Sequence, residues 1–172
     1  MEEYCVHLYY GDGKGKTTAA AGLCLRCLGA GFQALFCQFL KDGASSEVQP
    51  LRKMGAQILT EGPAEFLWQM PPAKKQEYCR AQHALFEAAC RHMASGAYEI
   101  VILDEALDAL SQGILTETEL CQAIGAAKCE VVLTGRAPTP ALLALADYAT
   151  EMHAIKHPYA SRKAPARKGI EY

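Results

Sequence analysis

Eight consecutive residues, Gly11-Asp12-Gly13-Lys14-Gly15-Lys16-Thr17-Thr18, place glycines, lysines and threonines in a spacing that suits phosphate chemistry. Glycines let a backbone curl until successive N–H groups converge on an anion. A helix beginning at the end of the loop adds partial positive charge. Lys16 can set its ammonium on phosphate oxygens, and the Thr17 hydroxyl can ligate Mg²⁺. The strict pattern GxxxxGK[ST] would require glycine at position 10, where this chain has Tyr10. The bland alternative is a glycine-rich strand-to-helix turn with no ligand, which two lysines and two threonines do not need.

Two further polar clusters end apolar runs. Ile102-Leu103-Asp104-Glu105 delivers two carboxylates at the tip of a run that reads as a buried strand. This is the arrangement in which a strand-end acid holds Mg²⁺ or its water. Acids at a helix start have a structural use too, so the pair gains meaning only beside the phosphate loop. Thr134-Gly135-Arg136 ends another apolar run, and Arg136 there could grip phosphate or a substrate carboxylate, or be a surface cation after a turn.

The elements that must position these groups alternate. Strands are expected over 5–10, 34–40, 56–60, 98–103, 130–133 and 148–155. Helices are expected over 17–28, 46–54 (capped by Ser45 or Ser46), 73–94, 140–146 and, in short form, after Asp104-Glu105 and after Thr116, with Glu119 at the capping-box position. Strands apolar on both faces and alternating with helices imply an α/β fold: a three-layer α/β/α unit of the P-loop NTPase kind, with a mostly parallel sheet of about six strands. Ligands of such sheets bind beyond the carboxyl ends of the strands, where every polar cluster of this sequence falls.

Composition excludes other classes. The chain has 172 residues, is 51% apolar and carries a net charge of −2, which suits one globular domain over 1–172. No apolar run reaches the ~18 residues of a membrane span. The acidic start Met1-Glu2-Glu3 is unlike a secretory signal, so a cytoplasmic protein is expected. Residues 1–155 carry −6 and residues 156–172 carry +4. An acidic body is a poor electrostatic footprint for nucleic acid, while the basic tail could seat an anion or simply be solvated. The eight cysteines fall mostly in apolar runs and read as reduced core residues. Cys24 and Cys27, the only CxxC, lie within an expected helix and lack a second ligand pair.

The order of the strings resembles one family, the P-loop class of corrinoid adenosyltransferases. The resemblance is carried by GDGKGKTTAA (11–20), Arg26 with Gly29 and Gly31, QFLK (38–41), Phe66 and Trp68, Leu103-Asp104-Glu105, Thr134-Gly135-Arg136, Ala146-Asp147, Thr150-Glu151-Met152, Lys156-His157-Pro158-Tyr159 and Gly169-Ile170-Glu171-Tyr172. The loop and the LDE string are generic; the others, in this order, are specific.

The resemblance implies transfer of the 5′-deoxyadenosyl group of ATP to the cobalt of a reduced corrinoid, cob(I)alamin or cob(I)yrinic acid a,c-diamide, with release of triphosphate. It implies that Gly11 to Thr18 hold the triphosphate, with Lys16 neutralising the leaving group, Arg26 near the nucleotide sugar and Arg136 on phosphate. Thr17 with Asp104 or Glu105 would hold Mg²⁺. Phe66 and Trp68 would crowd the lower face of the corrinoid and exclude its axial ligand, and His157 would touch the corrinoid or brace the tail. A homodimer and a transient flavoprotein reductase are implied partners. Members of the family also lack the first Walker glycine, which removes the objection raised by Tyr10. The sequence departs from the family at Asp42 and at Ser46-Glu47, and has no glycine between Tyr159 and Gly169. It opens almost on its first strand, so an N-terminal cover over the site is expected to be absent. Two other readings stay open: a P-loop phosphotransferase or ATPase acting on another small molecule, and a corrinoid carrier that uses nucleotide only as a switch.

Overall fold

A computed structural model of the chain describes residues 4–62 and 70–171. Phe66 and Trp68 lie outside the described residues. Six strands form one sheet: β1 (Val6–Tyr10), β2 (Ala34–Gln38), β3 (Gln57–Thr60), β4 (Ile100–Asp104), β5 (Glu130–Gly135) and β6 (Tyr148–Glu151). Their spatial order is β3-β2-β4-β5-β1-β6, and every neighbouring pair is parallel. The helices are α1 (Lys16–Gly29), α2 (Val48–Lys53), α3 (Pro72–Ser95), α4 (Ala106–Ser111), α5 (Glu117–Gly125), α6 (Pro140–Leu145) and α7 (Pro158–Arg162).

The period-2 alternation of the buried strands sorts their side chains into two cores. Leu8, Leu35, Cys37, Val101, Leu103, Val131 and Leu133 face one side, with Phe86, Ala89 and Met93 of α3 and Leu120 of α5. Phe36, Ile100, Ile102 and Val132 face the other, with Ala20 and Cys24 of α1 and Leu51 of α2. Two cores on opposite faces of one sheet make the expected three-layer α/β/α, P-loop-like architecture. Because all strands run one way, their carboxyl ends share one rim. The register puts Gln38 opposite Asp104 and Tyr10 opposite both Gly135 and Glu151.

Local departures from the expected elements have local causes. The second strand stops at Gln38 instead of Leu40, because Leu40 is left-handed with φ 57°. Helix α2 starts at Val48 with Glu47, not Ser45 or Ser46, at its N-cap position. The capping box of α5 forms as expected: the Thr116 hydroxyl accepts from the Glu119 N–H, and the Glu119 carboxylate accepts from the Thr116 N–H. The sixth strand ends at Glu151, four residues early, and the short α7 lies in the tail, where no helix was expected.

Candidate nucleotide and metal site

The loop between β1 and α1 is held in shape from behind by the chain segments that leave β5 and β6. The Gly13 N–H donates to the Met152 carbonyl at 2.7 Å, the Met152 N–H to the Tyr10 carbonyl at 2.8 Å, and the Gly11 N–H to the Arg136 carbonyl at 2.9 Å. Asp12 accepts from the Ala154 N–H at 3.1 Å, and this bond holds its carboxyl below the usual range. The close backing gives glycine its reason at position 13: a Cβ there would stand 2.6 Å from the Met152 carbonyl oxygen. Gly15 has φ 118° and caps α1, whose first turn contains no acid. The helix start thus keeps its partial positive charge for an external anion.

Lys16 turns back over the loop, donating to the Gly11 carbonyl at 2.8 Å and the Gly13 carbonyl at 2.7 Å. Burial pushes its pKa down, and Asp108 pulls the other way. Thr17 donates its hydroxyl hydrogen to Asp104 Oδ1 at 2.8 Å. The hydroxyl oxygen therefore keeps lone pairs for a cation.

Asp104, fully buried at the end of β4, is saturated. Its Oδ1 accepts from Thr17 and from the Thr134 hydroxyl at 2.7 Å. Its Oδ2 accepts from Gln38 Nε2 at 3.1 Å and from Lys41 Nζ at 3.0 Å. Glu105 is the more accessible member of the pair, its side chain 31% exposed, with Lys41 Nζ 3.1 Å from Oε1. Burial raises the Glu105 pKa and Lys41 opposes the rise. For Lys41, burial would lower the pKa, but Asp104 and Glu105 outweigh it and hold the ammonium well above the usual lysine value.

Two left-handed non-glycine residues, Leu40 (φ 57°) and Glu105 (φ 61°), aim these groups. Each costs roughly 1–2 kcal/mol in backbone strain, and each is pinned by a buried side chain. The Leu40 N–H donates to Gln82 Oε1 at 3.0 Å, and the Glu105 N–H to Thr134 Oγ1 at 2.8 Å. Gln38 Nε2 also bridges to Glu47 Oε1 at 3.1 Å. Gln38 Oε1 is the one buried side-chain polar atom without a partner among the described residues.

The loop opens on a cleft of about 740 Å³, and the lining runs from Asp12 through Thr18 to Lys41 and Glu105. The tail supplies another wall, with His157, Tyr159, Arg162, Arg167 and Ile170. That volume lies within the range of small-molecule sites. A second cleft of about 530 Å³ shares Lys14, Thr17, Thr18 and Lys41 with the first and adds Glu47.

The expected site residues within the described chain thus fall into four groups. Gly11 to Thr18, Asp104 and Glu105 meet at one rim. His157 lines the cleft, although its Nδ1 is engaged in accepting the Tyr159 N–H at 3.2 Å. Arg136 is exposed after β5, close enough to Lys16 and Asp108 for its charge to reach both. Arg26 is exposed in the last turn of α1, roughly 15 Å along the helix from Lys16 at about 1.5 Å per residue. It lines neither cleft. The sequence reading assigned no role to Lys41, Gln38, Glu47 or Asp108. The QFLK string was the available signal for the first two, and one helical turn beyond Asp104 was the signal for Asp108. Among the described residues no cysteine is in a disulfide. Burial pushes Cys24 up to about 12 and Cys129 up to about 11, which suits inert core residues.

A divalent cation is tested by the donor set. Mg²⁺ takes hard oxygen ligands, usually one or two carboxylates completed by phosphate oxygens and water. Thr17 Oγ1 and the Glu105 carboxylate are such donors, both on the cleft. An ammonium already sits between Asp104 and Glu105, so the spot favours positive charge. The residues fit, with Asp104 acting from behind as acceptor for the Thr17 hydroxyl.

The sequence profile of the family described as ATP:corrinoid adenosyltransferase BtuR/CobO/CobP matches residues 2–172. The corrinoid adenosyltransferase of Pseudomonas aeruginosa is 30% identical, over 96% of this chain and 82% of its own length. That of Escherichia coli K12 is 28% identical, over 99% of this chain and 87% of its own. The corrinoid adenosyltransferase CobA of Salmonella typhimurium is likewise 28% identical over 99% and 87%.

Proposed function

Because this chain belongs to the ATP:corrinoid adenosyltransferase family, a family of transferases, we propose that it moves the 5′-deoxyadenosyl group of ATP onto the cobalt of a reduced corrinoid and releases triphosphate. The observation that carries the reading is the cleft itself. It joins the glycine-rich loop, the partly exposed Glu105 carboxylate and a basic tail in one nucleotide-sized space.

Cobalt(I) of the substrate is already a strong nucleophile, so the protein supplies alignment and charge stabilisation. The N–H groups at the start of α1 and the Lys16 ammonium receive the triphosphate as it departs. To do so Lys16 gives up the loop carbonyls it now holds. Thr17 and Glu105 hold Mg²⁺, which when bound neutralises part of the triphosphate charge. Arg136, Arg162 and Arg167 add positive charge around the same anion. His157 stands where the tail meets the cleft and is assigned to the corrinoid side, with Phe66 and Trp68. Arg26, in the last turn of α1, is assigned to the nucleotide sugar. A flavoprotein reductase that delivers electrons transiently is the expected partner. The outer edge of β6, with exposed Leu145, Tyr148 and Ile155 beside it, supports association with a second copy. No described helix is long and apolar enough to cross a membrane; a cytoplasmic site of action is part of the proposal.

The test supplies ATP, Mg²⁺ and chemically reduced corrinoid and follows the absorbance of the adenosylated product. Product formation with cobalamin or its a,c-diamide precursor supports the reading and names the corrinoid. ATP hydrolysis indifferent to corrinoid would replace it with a phosphotransferase or ATPase.

A further inference from the structure

Lys41 is the one cation on the rim whose position conflicts with the metal role of its neighbours. Its Nζ lies 3.0 Å from Asp104 Oδ2 and 3.1 Å from Glu105 Oε1. A dication on the Glu105 carboxylate would share that carboxylate with an ammonium and be repelled by it. The backbone at Lys41 is fixed. Leu40 before it is held in the left-handed region by Gln82, and the Lys41 carbonyl accepts from the Thr60 hydroxyl at 3.2 Å. The side chain is therefore the part able to move. It is 24% exposed and lines both clefts that border the phosphate loop, in company with Lys14, Thr17 and Thr18.

We propose that Lys41 is an exchangeable cation: it occupies the Asp104–Glu105 carboxylates when the site is empty, and turns onto the triphosphate when a divalent metal takes its place. Two consequences follow from one side chain. The ammonium competes with metal in the absence of nucleotide, so free metal binds weakly. When metal and nucleotide arrive together, the displaced ammonium gains phosphate oxygens, so the two ligands bind cooperatively. Lys41 would thus act as a device that admits the metal–nucleotide complex in preference to either part.

The inference rests on the reading that Thr17 and Glu105 hold the metal. Its test measures binding and needs no turnover. Mn²⁺ affinity is followed by electron paramagnetic resonance, with and without ATP, in the parent protein and in Lys41→Met, Lys41→Arg and Glu105→Gln. Lys41→Met is expected to bind Mn²⁺ alone about tenfold more tightly and Mn²⁺–ATP about tenfold more weakly than the parent. Lys41→Arg, which keeps a cation on the carboxylates, is expected to bind Mn²⁺ alone no more tightly than the parent. If Lys41→Met unfolds without metal, a rise in its melting temperature with millimolar Mg²⁺, larger than the parent's, carries the same conclusion. Unchanged or weaker binding of Mn²⁺ alone in a folded Lys41→Met overturns the exchange. Mn²⁺–ATP binding that ignores Glu105→Gln overturns the metal assignment itself, and this inference with it.

Discussion

The strand-end rim and the C-terminal tail line one cleft, and they are built in opposite ways. At the rim, Asp104 is buried completely and each carboxylate oxygen accepts two hydrogen bonds. Thr134, Gln38 and Gln82 are equally buried and act as its frame. In the tail, Arg167 and Glu171 pair at 2.9 Å but stay exposed to solvent, Tyr159 is 60% exposed and α7 buries no residue. A fully satisfied buried polar network rigidifies its members, and Lys41, partly exposed, is the member with room to leave this one. A screened surface pair contributes little to stability and is free to rearrange. The rim thus suits fixed alignment of triphosphate and metal, and the tail suits closing over whatever the rim holds.

Lys16→Ala should show the largest effect and the cleanest separation. Transfer should fall ~10²–10³-fold or more, as when one preorganised charge-stabilising donor is removed. The melting temperature should barely move, because the ammonium bonds only to the loop. Product formation from pre-reduced corrinoid and a thermal melt check both. Asp104→Ala should instead attack the frame. It leaves Lys41 without its buried partner, the Thr17 and Thr134 hydroxyls without that acceptor and Gln38 Nε2 with Glu47, at ~3–5 kcal/mol. For a domain of this size that lowers the melting temperature by roughly 6–20 °C. A loss below ~1 kcal/mol in urea unfolding would mean that the rim is no more rigid than the tail.

Gly13→Ala probes the seam behind the loop. Its Cβ would press on the Met152 carbonyl, a backbone atom. A cost of about 1–3 kcal/mol is expected for such overpacking, with weaker ATP binding by calorimetry. The paired change Arg162→Ala with Arg167→Ala should do the reverse. No change in melting temperature is expected, while ATP affinity drops severalfold and becomes less sensitive to salt. The smallest effect is that of pH on the tail. Glu171 is held down to about 2 from 4.5 by its hydrogen bonds with Arg167. Its folded-state pKa is depressed, so the contact is complete above pH 4.5 and is lost as pH falls toward 2. An NMR titration of the Glu171 carboxyl with a midpoint near 4.5 would show that the pair does not persist in solution.

Sequence made the rim legible and the tail only partly so. GDGKGKTT, LDE and TGR each end an apolar run, and the parallel sheet brings such ends together whatever the details. What could not be read was the reach of single side chains. Leu40 looks like one more strand residue; its left-handed φ, which turns Lys41 onto two carboxylates, depends on Gln82 from a helix 42 positions away. The choice between Asp104 and Glu105 depends on burial, which identical chemistry conceals. Gly11 and Gly13 read as anion-cradling residues, yet at Gly13 the tight constraint comes from Met152, far along the chain. In the tail, α7 is short, and its cap is the side chain of His157, a residue type seldom read as a helix start. Phe66 and Trp68 remain expectations carried by the family resemblance.

The central claim is that the loop receives triphosphate as a leaving group, and phosphorus NMR tests it most directly. Protein, ATP, Mg²⁺ and cobalt(I) corrinoid are mixed, and the phosphorus-containing products are followed with time. The account predicts intact triphosphate accumulating one-for-one with adenosylated corrinoid, and neither forming with Lys16→Ala. ADP with orthophosphate as the main products, formed whether or not corrinoid is present, would contradict it.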